Sequence, residues 1–192
     1  KKFLGMPNSV LSYWVPENLY KVFSENRPIS KLCRISVGLH TRGNEDRFYR
    51  RWWEPRAVQN FSTDWPHIKT GGNPQHYLKN DHMVVNWKKG CAELRAIAEH
   101  ATGGTFTGHE LYFRKGITYI YTGQTTFSAQ VMQSGGIFSI AAHGLVPIDE
   151  NNTPWLLAFL NSEPVRLLLK VINPNRFFQA NYVKLLPVPL FD

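Results

Sequence analysis

Short runs of strand-forming residues, separated by glycines and followed by two proline-started helices, constrain the fold of this chain most strongly. Four such runs in the second half are predicted as strands, at 111–114, 117–121, 127–132 and 137–141. Glycines at positions 116, 123, 135 and 136 break the chain between them. A β-rich body followed by paired helices predicts an α+β fold, with peripheral helices and a C-terminal helix pair.

The predicted helix pair directly follows this body. Its helices lie at 153–160 and 163–172, with Pro154 and Pro164 in their first turns. Proline suits this position because its missing amide hydrogen would have no partner there. An asparagine precedes the first helix and a serine precedes the second, and both residue types are common N-caps.

The first half of the chain holds the remaining predicted elements in a less regular order. They are a helix at 17–24, strands at 32–37, 48–53 and 83–87, and a helix at 91–100, with a long Gly/Pro/Asn/His section at 60–79 and an extended tail at 177–190. We expect a single domain: a leading helical segment (1–26), a β-rich body (27–150), and a helix pair with an extended tail (151–192). Both ends look cut from something longer.

Positive charge is concentrated in the segment 27–56. It holds eight Lys or Arg and three acidic residues, which supply +5 of the chain's net charge of +8. Four aromatic residues are threaded through it, and Gly38 and Gly43 bracket a polar loop between two predicted strands. A field of one sign around a polar loop is typical of nucleic-acid-binding surfaces. A solvated basic face beside a tryptophan-rich core would have the same composition.

Two further segments combine cations with glycine at a strand end. In 69–72 (Lys-Thr-Gly-Gly), the glycines let backbone amides approach a phosphate while the ammonium neutralises it. In 114–118, an Arg-Lys pair and a turn glycine lead into a predicted strand that contains Thr118. Recognition often sits in loops held by a rigid scaffold. An ordinary flexible turn is the alternative explanation of either segment.

The sequence lacks the signatures of several other functions. Its histidines have no short helical spacing for a metal site, and no Gly-x-Ser-x-Gly, P-loop or glycine-rich cofactor loop occurs. Cys33 and Cys91 lie far apart and outside any Cys-x-x-Cys pair, so we expect two buried thiols in a cytoplasmic protein. No apolar run approaches the length of a membrane span.

Short motifs occur in a set order along nearly the whole chain. They are Gly38-Leu-x-Thr41, Asn44-x-x-Arg47-Phe48, Trp52-Trp53-Glu54, Lys69-x-Gly-Gly72, Tyr77, Val84-Val-Asn-Trp87, Tyr112-Phe113-Arg114-x-Gly116-Ile-Thr118, Phe127-Ser128-Ala129, Gly136-Ile-Phe138, Leu157-x-x-Leu160-Asn-Ser162 and Leu185-Leu-Pro-Val188. In this order, the chain resembles the C-terminal region of adenine-specific (N6) DNA methyltransferases. The resemblance is to the BREX phage-defence enzymes (PglX) and the fused type IIG restriction-modification enzymes.

In that family this region is the target recognition domain, which docks on duplex DNA, while a separate N-terminal domain binds S-adenosylmethionine and transfers the methyl group. The resemblance therefore implies a β-rich target-recognition body. Its implied partners are double-stranded DNA and an N-terminal methyltransferase domain of the same parent chain. The family's catalytic Asn/Asp-Pro-Pro-Tyr/Phe motif is absent, because Asn73-Pro74 and Asn173-Pro174 lack the second proline and the aromatic residue. We expect no catalytic residue and no cofactor in this fragment.

The predicted DNA-binding residues come from the three basic segments. They are Thr41, Arg42, Asn44, Arg47, Arg50, Arg51, Lys69, Gly71, Gly72, Arg114, Lys115 and Thr118. Most of the cations and the glycine pair are expected to contact the DNA backbone, whereas Thr41, Arg42 and Asn44 at the loop tip are candidates to contact base edges in the major groove. We expect at least one of Trp52 and Trp53 in the core, because neighbours in a strand face opposite sides.

Two other functions are compatible with these residues. One is a small metal-dependent nuclease that uses His with Asp or Glu, which a bound transition metal would reveal. The other is a single-strand or RNA binder whose aromatic residues stack on bases. Competition between duplex and single-stranded oligonucleotides would separate that function from duplex recognition.

Overall fold

A four-stranded antiparallel sheet forms the centre of the protein, whose structure is a computed structural model. The structure describes residues 15–55, 61–72, 76–78, 82–100, 103–122, 126–132, 135–173 and 175–189. The sheet order is β2–β9–β6–β7, with β2 at Cys33–Ser36, β9 at Ala142–Pro147, β6 at Gly116–Ile120 and β7 at Ala129–Met132. Helices and antiparallel strands in one unit confirm the predicted α+β class.

Both faces of the sheet are covered, and the described residues form two apolar cores, one on each face. Alternation along the strands directs Ile117, Tyr119 and Leu145 to the first core, whereas Met132 and Val146 belong to the second. Every residue of β6 and β9 is buried, as expected for strands covered on both sides.

The first core is covered mainly by helices. They are α1 at Glu17–Glu25, α5 at Thr153–Leu160, α6 at Glu163–Ile172 and α7 at Ala180–Val183. A two-stranded ribbon of β1 (Arg27–Pro28) and β10 (Pro187–Val188) joins them. We call this set the helical layer. The predicted helix pair is confirmed as α5 and α6, and the predicted first helix as α1.

The second core is covered by short strands and helices. They are α2 at Glu45–Phe48, β3 at Tyr49–Arg51, α3 at Phe61–Asp64, β4 at Ile68–Lys69, β5 at Met83–Val85, α4 at Lys88–Glu99 and β8 at Ile137–Phe138. Strand β3 pairs antiparallel with β5, and β4 pairs parallel with β8. A bridge between His67 and Val84 links these two pairs, and a bridge between Leu39 and Ser139 attaches the loop after β2 to the end of β8. We call this set the mixed layer.

Several predicted elements differ from the structure. The residues 142–147, for which no strand was predicted, form the inner strand β9; their small and polar members hide the usual alternation. The predicted strand 111–114 is instead the end of a 3-10 turn at His109–Leu111 followed by a left-handed residue, Phe113. The predicted strand 48–53 is shortened to β3 because α2 precedes it, and the extended tail contains α7.

The predictions of a strand at 32–37, a helix at 91–100 and two buried cysteines agree with the structure, although the element boundaries differ. Strand β2 and helix α4 lie within or close to their predicted ranges, although α4 opens with a left-handed turn at Lys89, Gly90 and Cys91. Both cysteines are free and buried, as predicted. Burial raises the pKa of the Cys33 thiol to about 12 and that of Cys91 to about 11, so both stay protonated at neutral pH.

Asn161 ties the helical layer to the edge of the sheet. Its side-chain amide accepts a hydrogen bond from the Ala129 amide (3.0 Å) and donates to the Ala129 carbonyl (2.9 Å). It also donates to the Leu157 carbonyl at 3.1 Å and accepts from His76 Nδ1 at 2.7 Å. One buried side chain therefore joins the end of α5, the strand β7 and the segment around His76.

Replacing Asn161 should destabilise the fold markedly. Asn161→Ala leaves the buried Ala129 amide without its acceptor, so the free energy of unfolding should fall by about 2–4 kcal/mol. Urea unfolding followed by circular dichroism measures this. The matched control is Asn151→Ala, an exposed asparagine ten positions earlier, which should change stability by less than about 0.5 kcal/mol. Equal effects of the two variants would contradict the assigned role.

His143 is a buried histidine in the central strand β9. The Tyr119 hydroxyl lies 3.2 Å from its Nδ1, and the Tyr121 ring stacks on it at 4.9 Å. Burial lowers the pKa of His143 to about 4, partly opposed by a hydrogen bond with the backbone of Ile140. The folded protein therefore holds this imidazole neutral at pH values where an unfolded chain would protonate it.

Acidification should therefore destabilise the protein through His143. The unfolded histidine binds a proton below its pKa of about 6.5, and the folded one does so only near 4, so stability present above pH 6.5 is lost as the pH falls towards 4. About 2 kcal/mol should disappear between pH 6.5 and 5. Urea unfolding at several pH values tests this. His143→Gln should lack this component of the slope; an unchanged slope would show that His143 does not cause it.

Candidate nucleic-acid interface

The basic segment 27–56 is divided between the two layers of the fold. Arg27 lies in β1, and Lys31 follows Ile29 of the first core, so both belong to the helical layer. Arg42 to Arg51 belong to the mixed layer, on the other side of the central sheet. Arg56 lies outside the described residues. A charge cluster in the sequence is therefore not a single patch on the surface.

The polar loop after Gly38 is built by its own side chains. The Leu39 amide donates to the Phe138 carbonyl at 2.8 Å, which fixes the start of the loop. The Thr41 hydroxyl, 1% exposed, donates to the Glu45 carboxylate. The amide of Asn44 donates to the carbonyls of Thr41 (3.0 Å) and Arg42 (3.1 Å). Thr41 and Asn44, two of the three predicted base-reading residues, therefore shape the loop with their side chains.

Arg42 and Arg47 join this loop to neighbouring segments. Arg42 has a left-handed backbone (φ 60°), and its Nε donates to Thr105 Oγ1 at 3.1 Å while Nη2 donates to the Gly103 carbonyl. Arg47 forms an exposed ion pair with Glu93 on α4. Both guanidinium groups remain at the surface, held against the 103–105 loop and α4.

Strand β3 presents two further arginines and an aromatic cluster. Arg50 Nη1 donates to the carbonyls of Asp46 (2.6 Å) and Tyr49 (2.7 Å). The exposed Arg51 guanidinium lies 5.8 Å from the ring of Trp53, whose side chain is 51% exposed. The prediction of a core tryptophan here is wrong, because β3 ends at Arg51 and both tryptophans lie in the turn that follows.

The first two basic segments meet at a cleft of about 450 Å³. Its lining includes Glu45, Tyr49 and Arg51 from the first segment and Thr70 from the second. The neighbouring Lys69 is only 6% exposed, because its strand pairs with β8. Gly71 packs close to Ala141, and Gly72 is exposed. Lys69 therefore lies mainly in the interior of the mixed layer and not on its surface.

The third segment lies away from this cleft. Arg114 and Lys115 are exposed and precede β6. The cleft lies at the other end of that strand, where the Tyr121 amide donates to the carbonyl of the cleft residue Ala141 at 3.1 Å. Five steps of a strand separate Gly116 from Tyr121, roughly 17 Å. Lys115 instead lines a second depression with Glu150, and Thr118 is buried in the sheet.

Sequence reasoning missed one basic turn. Lys88, Lys89 and Gly90 are exposed and follow β5 through Trp87. The ring of Trp87 lies 5.5 Å from Phe113, which brings this turn close to Arg114. The sequence pattern that could have identified this turn is the one used for the other basic segments, namely two cations and a glycine at the end of a predicted strand.

Among the described residues, no group of three or more His, Cys, Asp or Glu side chains is arranged to hold a metal ion. Across those residues, no helix combines the length and hydropathy that a bilayer crossing demands.

Comparison with known proteins gives a distant relative. No family model matches the chain. It is similar to the adenine-specific methyltransferase PglX of Lacticaseibacillus casei (strain Zhang), with 25% identity over 203 residues. The match covers 97% of this chain and 17% of the methyltransferase, so the chain spans about a sixth of that relative's length. The similarity links the chain to a methyltransferase-associated region.

Proposed function

We propose that this chain is a duplex-DNA recognition domain of an adenine-specific DNA methyltransferase, with the mixed layer as its DNA-binding face. The observation that carries the proposal is the placement of exposed cations at both ends of β5. Arg51 is in register with Met83 at one end, and Lys88 and Lys89 follow Trp87 at the other. The similarity to PglX supports the methyltransferase association.

The spacing of these cations suits a DNA groove. Four residue steps separate Met83 from Trp87, so the two ends lie at most roughly 13 Å apart, a span comparable to the B-DNA major groove width of about 12 Å. Cations at the two ends of β5 can therefore meet phosphates on both sides of one groove. Arg114 and Lys115 extend the second group, since Phe113 packs against Trp87.

The arginines of the polar loop can hold the loop and contact DNA together. A guanidinium carries five N–H donors, and Arg42 uses those of Nε and Nη2 on the 103–105 loop. Its Nη1 donors remain for a base edge or a phosphate. Thr41 and Asn44 then contribute to specificity by fixing the position of Arg42. Lys69 and Thr118 are buried and have no direct role in this proposal.

Methyl transfer belongs to another part of such an enzyme. The family's methyl donor, S-adenosylmethionine, is held by a glycine-rich loop, and its target adenine by an Asn-Pro-Pro-Tyr motif; the sequence has neither. The glycines of the mixed layer serve packing instead: a Cβ on Gly38 would lie 2.1 Å from the Phe138 carbonyl oxygen. We assign no step of the transfer to this chain.

Binding to duplex DNA should weaken steeply with salt, and the two layers should differ in their effect. Each lost phosphate contact reduces the slope of log K against log salt by about 0.9. Arg51→Gln should therefore lower the slope by about one unit and weaken binding to all duplexes. Fluorescence anisotropy with a labelled 20-base-pair duplex at several salt concentrations measures this.

The matched control is Arg27→Gln, which removes the same charge from an exposed arginine on the helical layer. Its slope should equal that of the unmodified chain. An equal decrease of the salt slope in both variants would show that only net charge determines binding. Absence of duplex binding at low salt would contradict the proposed function. Stronger binding to single strands would favour the stacking alternative.

The newly identified turn gives a second test of the same face. Lys88→Gln should reduce affinity for duplex DNA and lower the salt slope by about one unit, as Arg51→Gln does. Lys170→Gln, an exposed lysine of α6 in the helical layer, is the control and should leave both unchanged. If Lys170→Gln weakens binding and Lys88→Gln does not, the assignment of the binding face is reversed.

A further inference from the structure

Phe113 combines two unusual features. Its side chain is 42% exposed, and its backbone is left-handed with φ 63°. A bulky residue rarely adopts this conformation, because its Cβ approaches the following carbonyl, and such outliers concentrate at functional positions. An ordinary turn would place glycine or asparagine here.

The turn that carries Phe113 is held firmly. The Phe113 amide donates to the Gly136 carbonyl at 2.8 Å, and its own carbonyl accepts from the Gly135 amide at 3.2 Å. The centroid of its ring lies 5.5 Å from that of Trp87, and the two rings are nearly perpendicular, with an interplanar angle of 77°. These contacts hold an aromatic ring in one orientation while leaving much of it in contact with solvent.

Positively charged residues are the neighbours of the ring along the chain. Arg114 and Lys115 follow it directly, and Lys88 follows its ring partner Trp87. Apolar side chains flanked by cations are the means by which many DNA-binding proteins insert between base pairs, with the cations on the flanking phosphates.

We propose that Phe113 is a wedge that inserts into the base stack of duplex DNA while Arg114 and Lys115 hold the adjacent phosphates. The inference rests on the proposed function and adds a local distortion of the duplex to it. The insertion costs base-stacking energy, which the ring recovers by stacking on the separated bases.

Tyr77 provides a matched comparison within the same protein. It too is exposed (53%) and left-handed (φ 66°). Its backbone pairs with the edge strand β7, where its amide donates to Ala129 at 3.0 Å, and its sequence neighbours are His76 and Leu78. It shares the unusual conformation of Phe113 without the adjacent pair of cations.

The test uses the whole chain and a pool of random-sequence duplexes that contain 2-aminopurine, whose fluorescence rises when its neighbours unstack. Stacking on an aromatic ring tolerates any base, so the recognised sequence need not be known. The unmodified chain should raise the fluorescence at low salt. Phe113→Asn should abolish that rise and weaken affinity roughly tenfold, because asparagine accepts the left-handed backbone but cannot stack. Phe113→Trp should retain the rise, and so should Tyr77→Asn.

The outcomes separate this inference from the proposed function. If the unmodified chain and Phe113→Asn both bind the duplex with steep salt dependence and give equal 2-aminopurine fluorescence, Phe113 does not insert into the base stack. That result would leave duplex recognition standing. Loss of the rise in Tyr77→Asn as well would also overturn the wedge, as would a rise confined to single strands. Absence of duplex binding altogether would overturn both proposals. Thermal melting of each variant, and Phe113→Gly as a second loss variant, separate stacking from loss of folding.

Discussion

The packing of Phe138 against the backbone of β9 holds the mixed layer onto the central sheet. A Cβ on Gly144 would lie 2.5 Å from the Phe138 ring, so only glycine admits the ring at this position. On its other sides Phe138 meets the ring of Tyr112 at 5.2 Å and the backbone of Gly38. The polar loop, β4 and the cleft all depend on β8, and the candidate DNA face therefore depends on this one contact.

The same arrangement explains why cations that are clustered in the sequence are not clustered on the surface. The described part of the basic segment 27–56 starts in the helical layer at β1, passes through β2 at the edge of the sheet and reaches the mixed layer at β3. Cations far apart in the sequence approach each other instead, since the contact of Trp87 with Phe113 joins the turns at Lys88 and Arg114. The face we propose is assembled by tertiary contacts between short, irregular segments.

Part of this structure could be predicted from the sequence, and the physical reasons for the rest are clear. Local signals such as Pro154 and Pro164 at helix starts predicted α5 and α6, because proline geometry acts within a few residues. The expected N-cap residues Asn152 and Ser162 stand at the helix starts, but their side chains form no capping hydrogen bond. Strand β9 was not predicted because Gly144 is explained by its contact with a distant ring, that of Phe138, and not by a local turn. Asn161 stood among the motifs of the resemblance, yet its bonds to β7 follow only from the fold.

Hydrogen–deuterium exchange of the chain with and without a 20-base-pair duplex at low salt distinguishes DNA binding by the mixed layer from DNA binding by the helical layer. If the mixed layer binds DNA, the duplex slows exchange in peptides covering 41–51, 82–90 and 112–116. Peptides covering 27–31 and 163–170, which hold cations of the helical layer, should exchange at unchanged rates. Protection of the helical-layer peptides with none in the mixed layer would show that DNA binds on the other side of the sheet.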